Sequence, residues 1–192
     1  MARVPYLTKP AASAETAPLW DRLEAERKVP TANIFRALAN APALLDAFLS
    51  YANALRDQSR LSPKLRELAI LSVGHAVGST YEIAHHQSHG LKAGLTEAQL
   101  ADVGDFENSE EFDDIELAVL RLARESTLSV HVSEASWKAA AAHLDDQQMV
   151  ELTLNIAWYN SGVRVMGLLD IELEDKYLSP PQALTSRQDH NS

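Results

Sequence analysis

The sequence predicts an all-α protein, and three kinds of observation carry that prediction. Apolar residues recur at spacings of three and four along most of the chain. Helix-start signals, a Ser, Thr or Asp with Glu or Gln three residues on, stand ahead of several of these stretches. No run alternates with period two for long: Leu128, Val130 and Val132 alternate with Ser129 and His131, but that run is five residues and reads as a connector.

The elements follow in order. Residues 1–14, with Pro5 and Pro10, read as an irregular arm. A helix over 15–28 places Leu19, Trp20, Leu23 and Arg27 on one stripe, and Pro30 ends it. A short helical turn follows at Asn33 to Arg36. Pro42 suits the first position of a helix running to about Arg56, with Leu44, Leu45, Phe48, Leu49, Ala52 and Leu55 on its apolar face. Ser62 and Pro63 start the next helix, which carries Leu65, Leu68, Ala69, Ser72 and Ala76 and stops near Gly78.

Ser79 with Glu82 forms a capping-box pattern for a helix over 80–92, closed by Gly94. Thr96 with Gln99 forms a second such box, for a short helix, and the acidic segment 104–111 reads as a loop. Asp113 with Glu116 opens a helix through Ile115, Leu117, Val119, Leu120, Leu122 and Ala123. A helix over 133–144 carries Trp137 and Ala140. A long helix from Asp146 holds Met149, Leu152, Ile156, Tyr159 and Val163, and either runs to Leu168 or kinks near Gly162. The expected organisation is an arm at 1–14, one helical domain at 15–177 and a flexible tail at 178–192, where Pro180 and Pro181 fall. ELAIL at 67–71 recurs as ELAVL at 116–120, which reads as two helices with similar core faces.

Composition narrows the chemistry. A chain of 192 residues with 46% apolar content fits a single globular domain. With no cysteine it has no disulfide, thiolate nucleophile, dithiol redox centre or cysteine-ligated metal. A formal net charge of -10 without a basic cluster argues against nucleic acid as a partner, while leaving room for a local basic pocket that takes a small acid. The opening MARVPYLTKP has no apolar run behind its charge, and no stretch is apolar for about 18 residues. A cytoplasmic protein without a membrane span is therefore expected.

The richest stretch is RELAILSVGHAVGSTYEIAHH at 66–86. Glu67, His75, Glu82, His85, His86 and His89 fall within 23 residues, in a chain with seven histidines. These groups donate and accept protons near neutral pH. Glu82 and His86 are four apart and share a helical face, whereas His85 and His89 form a second pair rotated away from it. Glu67 shares a face of the preceding helix with Leu71, Gly74 and Gly78, whose two glycines would admit a close neighbour. A buried Glu67 needs a partner. His86 is one candidate, and Arg66, Arg121 or Arg164 would make it a structural staple instead. Ser79 and Glu82 both have a capping role open to them, and His75 a place in the core. Glu82, His86 and either His75 or His89 are plausible metal donors, but HExxH is absent and neither a metal nor any other cofactor is expected.

RELAIL, GSTYEIAHH and GLKAGLT together resemble the carboxymuconolactone decarboxylase family, which includes the AhpD-type alkylhydroperoxidases. Redox-active members of that family have a glutamate, then CxxC, then a histidine. On this sequence the glutamate falls at Glu67, the cysteines at Ser79 and Glu82, and the histidine at His86. The resemblance implies an AhpD-like bundle built on helical hairpins and a homo-oligomer, a dimer or trimer with a hexamer within range. With both sulfurs replaced, the chain resembles the cysteine-free branch and not the peroxidases.

The function expected is cofactor-free acid–base chemistry on a small unsaturated lactone or oxo acid, of the decarboxylase-like lyase kind. Glu67, Glu82 and His86 are the expected catalytic residues. His75, His85, Tyr159 and Asn160 are the expected substrate-binding residues, and the substrate is expected to be anionic. An isomerase or lactone hydrolase would use the same groups. A non-catalytic oligomer or small-molecule binding protein would keep the histidines in its core or interfaces.

Overall fold

Prolines and capping side chains set most helix starts in the computed structural model, which describes residues 2–9, 16–27 and 32–178. In chain order the helices are α1 (Ala17–Glu26), α2 (Asn33–Leu38), α3 (Pro42–Asp57), α4 (Pro63–Ala76), α5 (Thr80–Ala93), α6 (Glu97–Asp102), α7 (Asp114–Ser129), α8 (Glu134–Ala141), α9 (Asp146–Leu169) and α10 (Asp175–Leu178). The described residues contain no strand, so the fold class is all-α. No helix among them is long and apolar enough to cross a membrane.

Pro42 and Pro63 open α3 and α4, where a missing N–H costs nothing. The boxes Thr96/Gln99 and Asp113/Glu116 form in both directions, side chain to backbone and back. Ser79 accepts from the Glu82 N–H, but Glu82 does not reach back; its carboxylate is turned elsewhere. Ser62 precedes α4 without making a side-chain cap bond. Gly94 ends α5 at φ 101°, a conformation that suits glycine.

Several boundaries differ from the sequence reading. The acidic segment expected to be a loop contains a 3-10 helix at Val103–Asn108, because Phe106 is buried in the core and pins it there. The helix α9 continues through Gly162 and stops at Asp170, which adopts left-handed backbone. The first residues of the 128–132 connector belong to α7, which ends as Val130 turns to φ 66°. Pro30 and the tail beyond Leu178 lie outside the described residues, and α10 is a helical turn that the sequence did not suggest.

Two apolar clusters organise the molecule. The larger joins α4, α7 and α9, with Leu68, Leu71, Val119, Leu120 and Leu152 among its members. The smaller is formed chiefly by α1 and α3 through Leu19, Trp20, Leu23, Leu45 and Leu49. Burying each such side chain contributes about 1.5–3 kcal/mol. Helix α4 is central: Leu65 and every residue from Glu67 to Gly74 are buried, so it is covered nearly all round, by α5, α7 and α9. Glu67 is therefore a carboxylate in the most enclosed helix of the fold.

Candidate active site

Helices α4 and α5 form a tight antiparallel hairpin, and its geometry brings Glu67 to His86. Gly78 makes the turn at φ 64°. Gly74 lets the helices touch: a Cβ there would lie 3.2 Å from Ile83 Cγ1 and 3.3 Å from Glu82 Cβ. Across this contact, Glu67 Oε2 lies 2.7 Å from His86 Nδ1. The other ring nitrogen, Nε2, lies 3.4 Å from Glu82 Oε2, one helical turn back on α5. His86 thus sits between two carboxylates, one on each nitrogen.

The surroundings complete this arrangement. Tyr159 on α9 meets the His86 ring edge-on, with centroids 5.1 Å apart. Gly162, one turn further along α9, leaves space beside the Glu82 carboxylate, where a Cβ would stand 3.4 Å from Oε1. His89 lies beside His86 at 5.3 Å between ring centroids. Glu67, Glu82, His86, His89 and Tyr159 all line a cavity of about 420 Å³. It lies where the two apolar clusters meet, with walls from α1, α2, α3, α4, α5 and α9.

The electrostatics of the three central groups are coupled. Burial opposes charge on His86, but its hydrogen bond to Glu67 and the nearby Glu67 and Glu82 charges outweigh that and hold its pKa above the ordinary imidazole range. Burial likewise opposes charge on Glu67, and the bond and charge of His86 reverse the balance, holding it below the usual carboxylate range. Glu82 goes the other way: its burial outweighs the attraction of His86 and His85, so its pKa is raised. The arrangement favours a charged Glu67–His86 pair beside a carboxyl group whose pKa burial raises. Burial, with Glu82 and Glu67 adding to it, pushes the Tyr159 phenol up, so it remains a neutral hydroxyl. His89 is lowered by burial and by the charge of His86.

His85 also lines the cavity, but with different partners. Its Nε2 lies 2.6 Å from Glu174 Oε2, and its ring is stacked 4.4 Å from Tyr81 and tilted 4.4 Å from Tyr177. Glu174 also accepts from the Tyr81 hydroxyl at 2.8 Å and from the Asn33 backbone N–H. Burial pushes this carboxyl up, but these bonds win, His85 first, and hold it down to about 2.

Two residues expected to bind substrate stand elsewhere. His75 lies against Gly104, whose missing Cβ leaves room for the ring, and it is not among the cavity-lining residues. Burial lowers its pKa. Asn160 lies on the far side of α9: it donates to Thr127 Oγ1 at 2.9 Å and accepts from Arg164 at 2.6 Å, tying α9 to α7. Both are corrections to the sequence reading, and both have one cause. Periodicity gives a residue's face on its own helix, not the neighbour that face meets. The arginine alternatives for Glu67 are also accounted for: Arg121 pairs with Glu107, Arg164 with Asn160, and Arg66 donates to the Arg56 carbonyl.

The cavity includes groups the sequence reading did not select. Arg27, Arg56, Arg66 and Lys92 give it a basic side in an otherwise acidic protein. Ile34, Phe35, Phe48, Leu55 and Trp158 give it an apolar side. Two buried sets of polar atoms there lack hydrogen-bond partners: Arg27 Nε and Nη2, and Asn155 Oδ1. Glu67, His86 and His89 each offer one donor atom within 4.8 Å of the others, a set able to hold a metal ion.

Residues 42–125, from α3 into α7, match the carboxymuconolactone decarboxylase family. The likeness carried by RELAIL, GSTYEIAHH and GLKAGLT therefore holds over this segment, in a chain without cysteine. No curated protein matches the sequence. Solved structures match its shape. An AhpD-core, peroxidase-related protein from Ralstonia eutropha JMP134 superposes with a TM-score of 0.78 at 18% identity, over 92% of this chain and 94% of that one. A peroxidase-related protein from Silicibacter sp. TM1040 gives 0.76 at 18% identity, over 92% and 97%. A variant of the debrominase Bmp8, in complex with 2,3,4-tribromopyrrole, gives 0.79 at 16% identity, over 93% and 95%. At these identities the likeness is one of fold: the protein has the AhpD-like helical bundle.

Proposed function

We propose that the protein is a carboxymuconolactone-decarboxylase-like lyase, acting without a cofactor on a small unsaturated lactone acid or oxo acid, with His86 as its proton carrier. The observation that carries this reading is the Glu67–His86–Glu82 array on the wall of the cavity. In this scheme, the bond from the substrate's carboxylate to its ring breaks. Carbon dioxide leaves, and the electron pair delocalises into the conjugated ring. His86, as imidazolium, gives a proton to the resulting carbon through Nε2, since Nδ1 is held by Glu67. Glu82, 3.4 Å from Nε2 and with its pKa raised by burial, is placed to pass a proton back to His86. Tyr159, kept neutral, offers a hydroxyl donor for oxygen charge that develops on the ring. Isomerisation or lactone hydrolysis would draw on the same groups. Self-association into a dimer or trimer belongs to the same reading.

The test is a panel of unsaturated lactone acids and oxo acids, followed by ultraviolet absorbance and carbon dioxide release. Turnover by the wild type that survives dialysis against EDTA and is lost in His86→Gln supports the proposal. A folded wild-type protein that consumes none of them counts against it. Turnover that EDTA abolishes would move the chemistry to a metal on Glu67, His86 and His89.

A further inference from the structure

Arg27 is the cation of the cavity whose hydrogen bonds are missing, as those of the Asn155 carbonyl oxygen are on the acceptor side. Its Nε and Nη2 are buried and unpartnered. The neighbouring arginines and the adjacent acid are engaged. Arg56 bonds Asn53 Oδ1 at 2.6 Å and Asp57 Oδ1 at 3.1 Å, and Arg66 bonds the Arg56 carbonyl at 3.1 Å. Glu26, the neighbouring acid, is held by Arg22 at 2.9 Å. Arg27 instead lies over the Phe35 ring, its guanidinium carbon 5.6 Å from the centroid. Burial, and then the charge of Arg56, bring its pKa down to about 10, which still leaves it charged at neutral pH.

Buried N–H groups without partners are costly, and leaving them unbonded costs more than forming their bonds returns. The two unbonded nitrogens form one edge of the guanidinium. That edge presents two parallel N–H bonds at the spacing of the two oxygens of a carboxylate. Among the described residues no acid pairs with it: Glu67 is taken by His86, and Glu26 by Arg22. The apolar wall of Phe35, Phe48 and Trp158 belongs to the same cavity.

We propose that the Nε/Nη2 edge of Arg27 is a carboxylate receptor, and that this cavity takes a small organic acid whose planar apolar body lies along Phe35, Phe48 and Trp158. The inference rests on the reading of the cavity as a reaction site and names what anchors the substrate there. A carboxylate clamped by this fork is stabilised as the anion. In a decarboxylation Arg27 therefore anchors a carboxylate other than the one that is lost, and does not act on the bond that breaks.

The test uses 2-furoate and 2-furamide, planar five-membered rings of nearly equal shape that differ in charge, titrated calorimetrically into the full-length protein. The wild type is expected to bind furoate about tenfold or more tightly than furamide, as hydrogen bonds to a charged group are worth. Arg27→Met should lose that preference, leaving furamide binding within about threefold of wild type, and Arg27→Lys should restore part of it. Should Arg27→Met fail to fold, as circular dichroism would reveal, the wild-type preference and its reduction in Arg27→Lys decide the matter. Equal binding of the two probes, no detectable furoate binding at millimolar concentration, or unchanged furoate affinity in a folded Arg27 variant would each overturn the proposal. The same titration on His86→Gln separates the two readings. Arg27-dependent furoate binding without any lactone turnover keeps this inference and removes the proposed lyase, whereas lactone turnover indifferent to Arg27 does the reverse.

Discussion

His86 has a carboxylate at each ring nitrogen, and this fixes the sign of its pH behaviour. Its pKa is raised against burial by Glu67 and Glu82, so the acid form persists above the ordinary imidazole range. If it donates the proton, kcat should fall on the alkaline side, at a pH above that range. Glu67→Gln removes the opposing charge but not the burial, so the limb should move down by about one pH unit or more. A pH–rate profile that keeps its alkaline limb in that variant would separate Glu67 from the proton carrier. His86→Gln should lower kcat by about 10² or more, and His85→Gln by less, because the His85 nitrogen is held by Glu174. The stability linkage has two arms. The His86 contribution is complete below about pH 6.5 and is lost as pH rises through its raised folded pKa; that of Glu67 is complete above about pH 4.3 and is lost as pH falls through its depressed one. Absence of cysteine sets another expectation at this scale: with organic hydroperoxide and a disulfide-reducing system, turnover should not exceed that of a heat-denatured control. The shared face of Glu82 and His86 was legible because helical phase relates residues four positions apart. Glu67, 19 residues from His86 on another helix, was only a candidate partner suggested by the expected hairpin and the family resemblance. Glu174 was not legible: it lies 89 residues from His85, and no local spacing marks it. Arg27 was visible only as part of the α1 stripe, since a missing hydrogen bond cannot be read from sequence.

Between elements, the α4–α5 contact determines whether this pairing exists at all. The sequence marked both helices through Pro63, the Gly78–Ser79 break and Gly94, and its two glycines suggested close approach. The structure divides their work: Gly74 provides the approach and Gly78 the turn. Gly74→Val would put branched methyl groups where a single Cβ already stands 3.2 Å from Ile83. Helix propensity would improve, but overpacking should dominate and destabilise the fold by about 1–3 kcal/mol. Urea denaturation measures this directly, and a midpoint at or above that of wild type would contradict the tight contact. Helix ends were legible wherever a cap or proline marks them. The 3-10 helix at Val103–Asn108 and the turn of α10 were not, because Phe106 acts through burial and α10 follows a segment anchored by Glu174 to Asn33 and Tyr81. Such tertiary anchors leave no periodic trace.

Seen as a whole, the molecule has two apolar clusters with a cavity at their junction, and α3 and α9 also carry apolar side chains on the outer surface. Leu44 and Tyr51 on α3, and Val150 and Leu154 on α9, are exposed. The two helices are joined by Trp158, whose ring lies 4.2 Å from Phe48 and 4.8 Å from Tyr51. Val150 and Leu154 are one helical turn apart and so share a face. An apolar face of this kind can be covered by a second copy of the chain. Charge works against it: copies with a formal net charge of -10 repel, and salt screens that repulsion. Self-association through the α3/α9 face should therefore strengthen as salt increases, the opposite of an interface built on ion pairs. Light scattering at micromolar concentrations is expected to give the mass of a dimer or trimer. Leu154→Glu, which adds a charge to that face on an exposed position, should shift the mass toward the monomer while leaving the helical circular dichroism unchanged. A monomer mass for the wild type across that range would remove the oligomer, and an unchanged oligomer in Leu154→Glu would move the interface to another face.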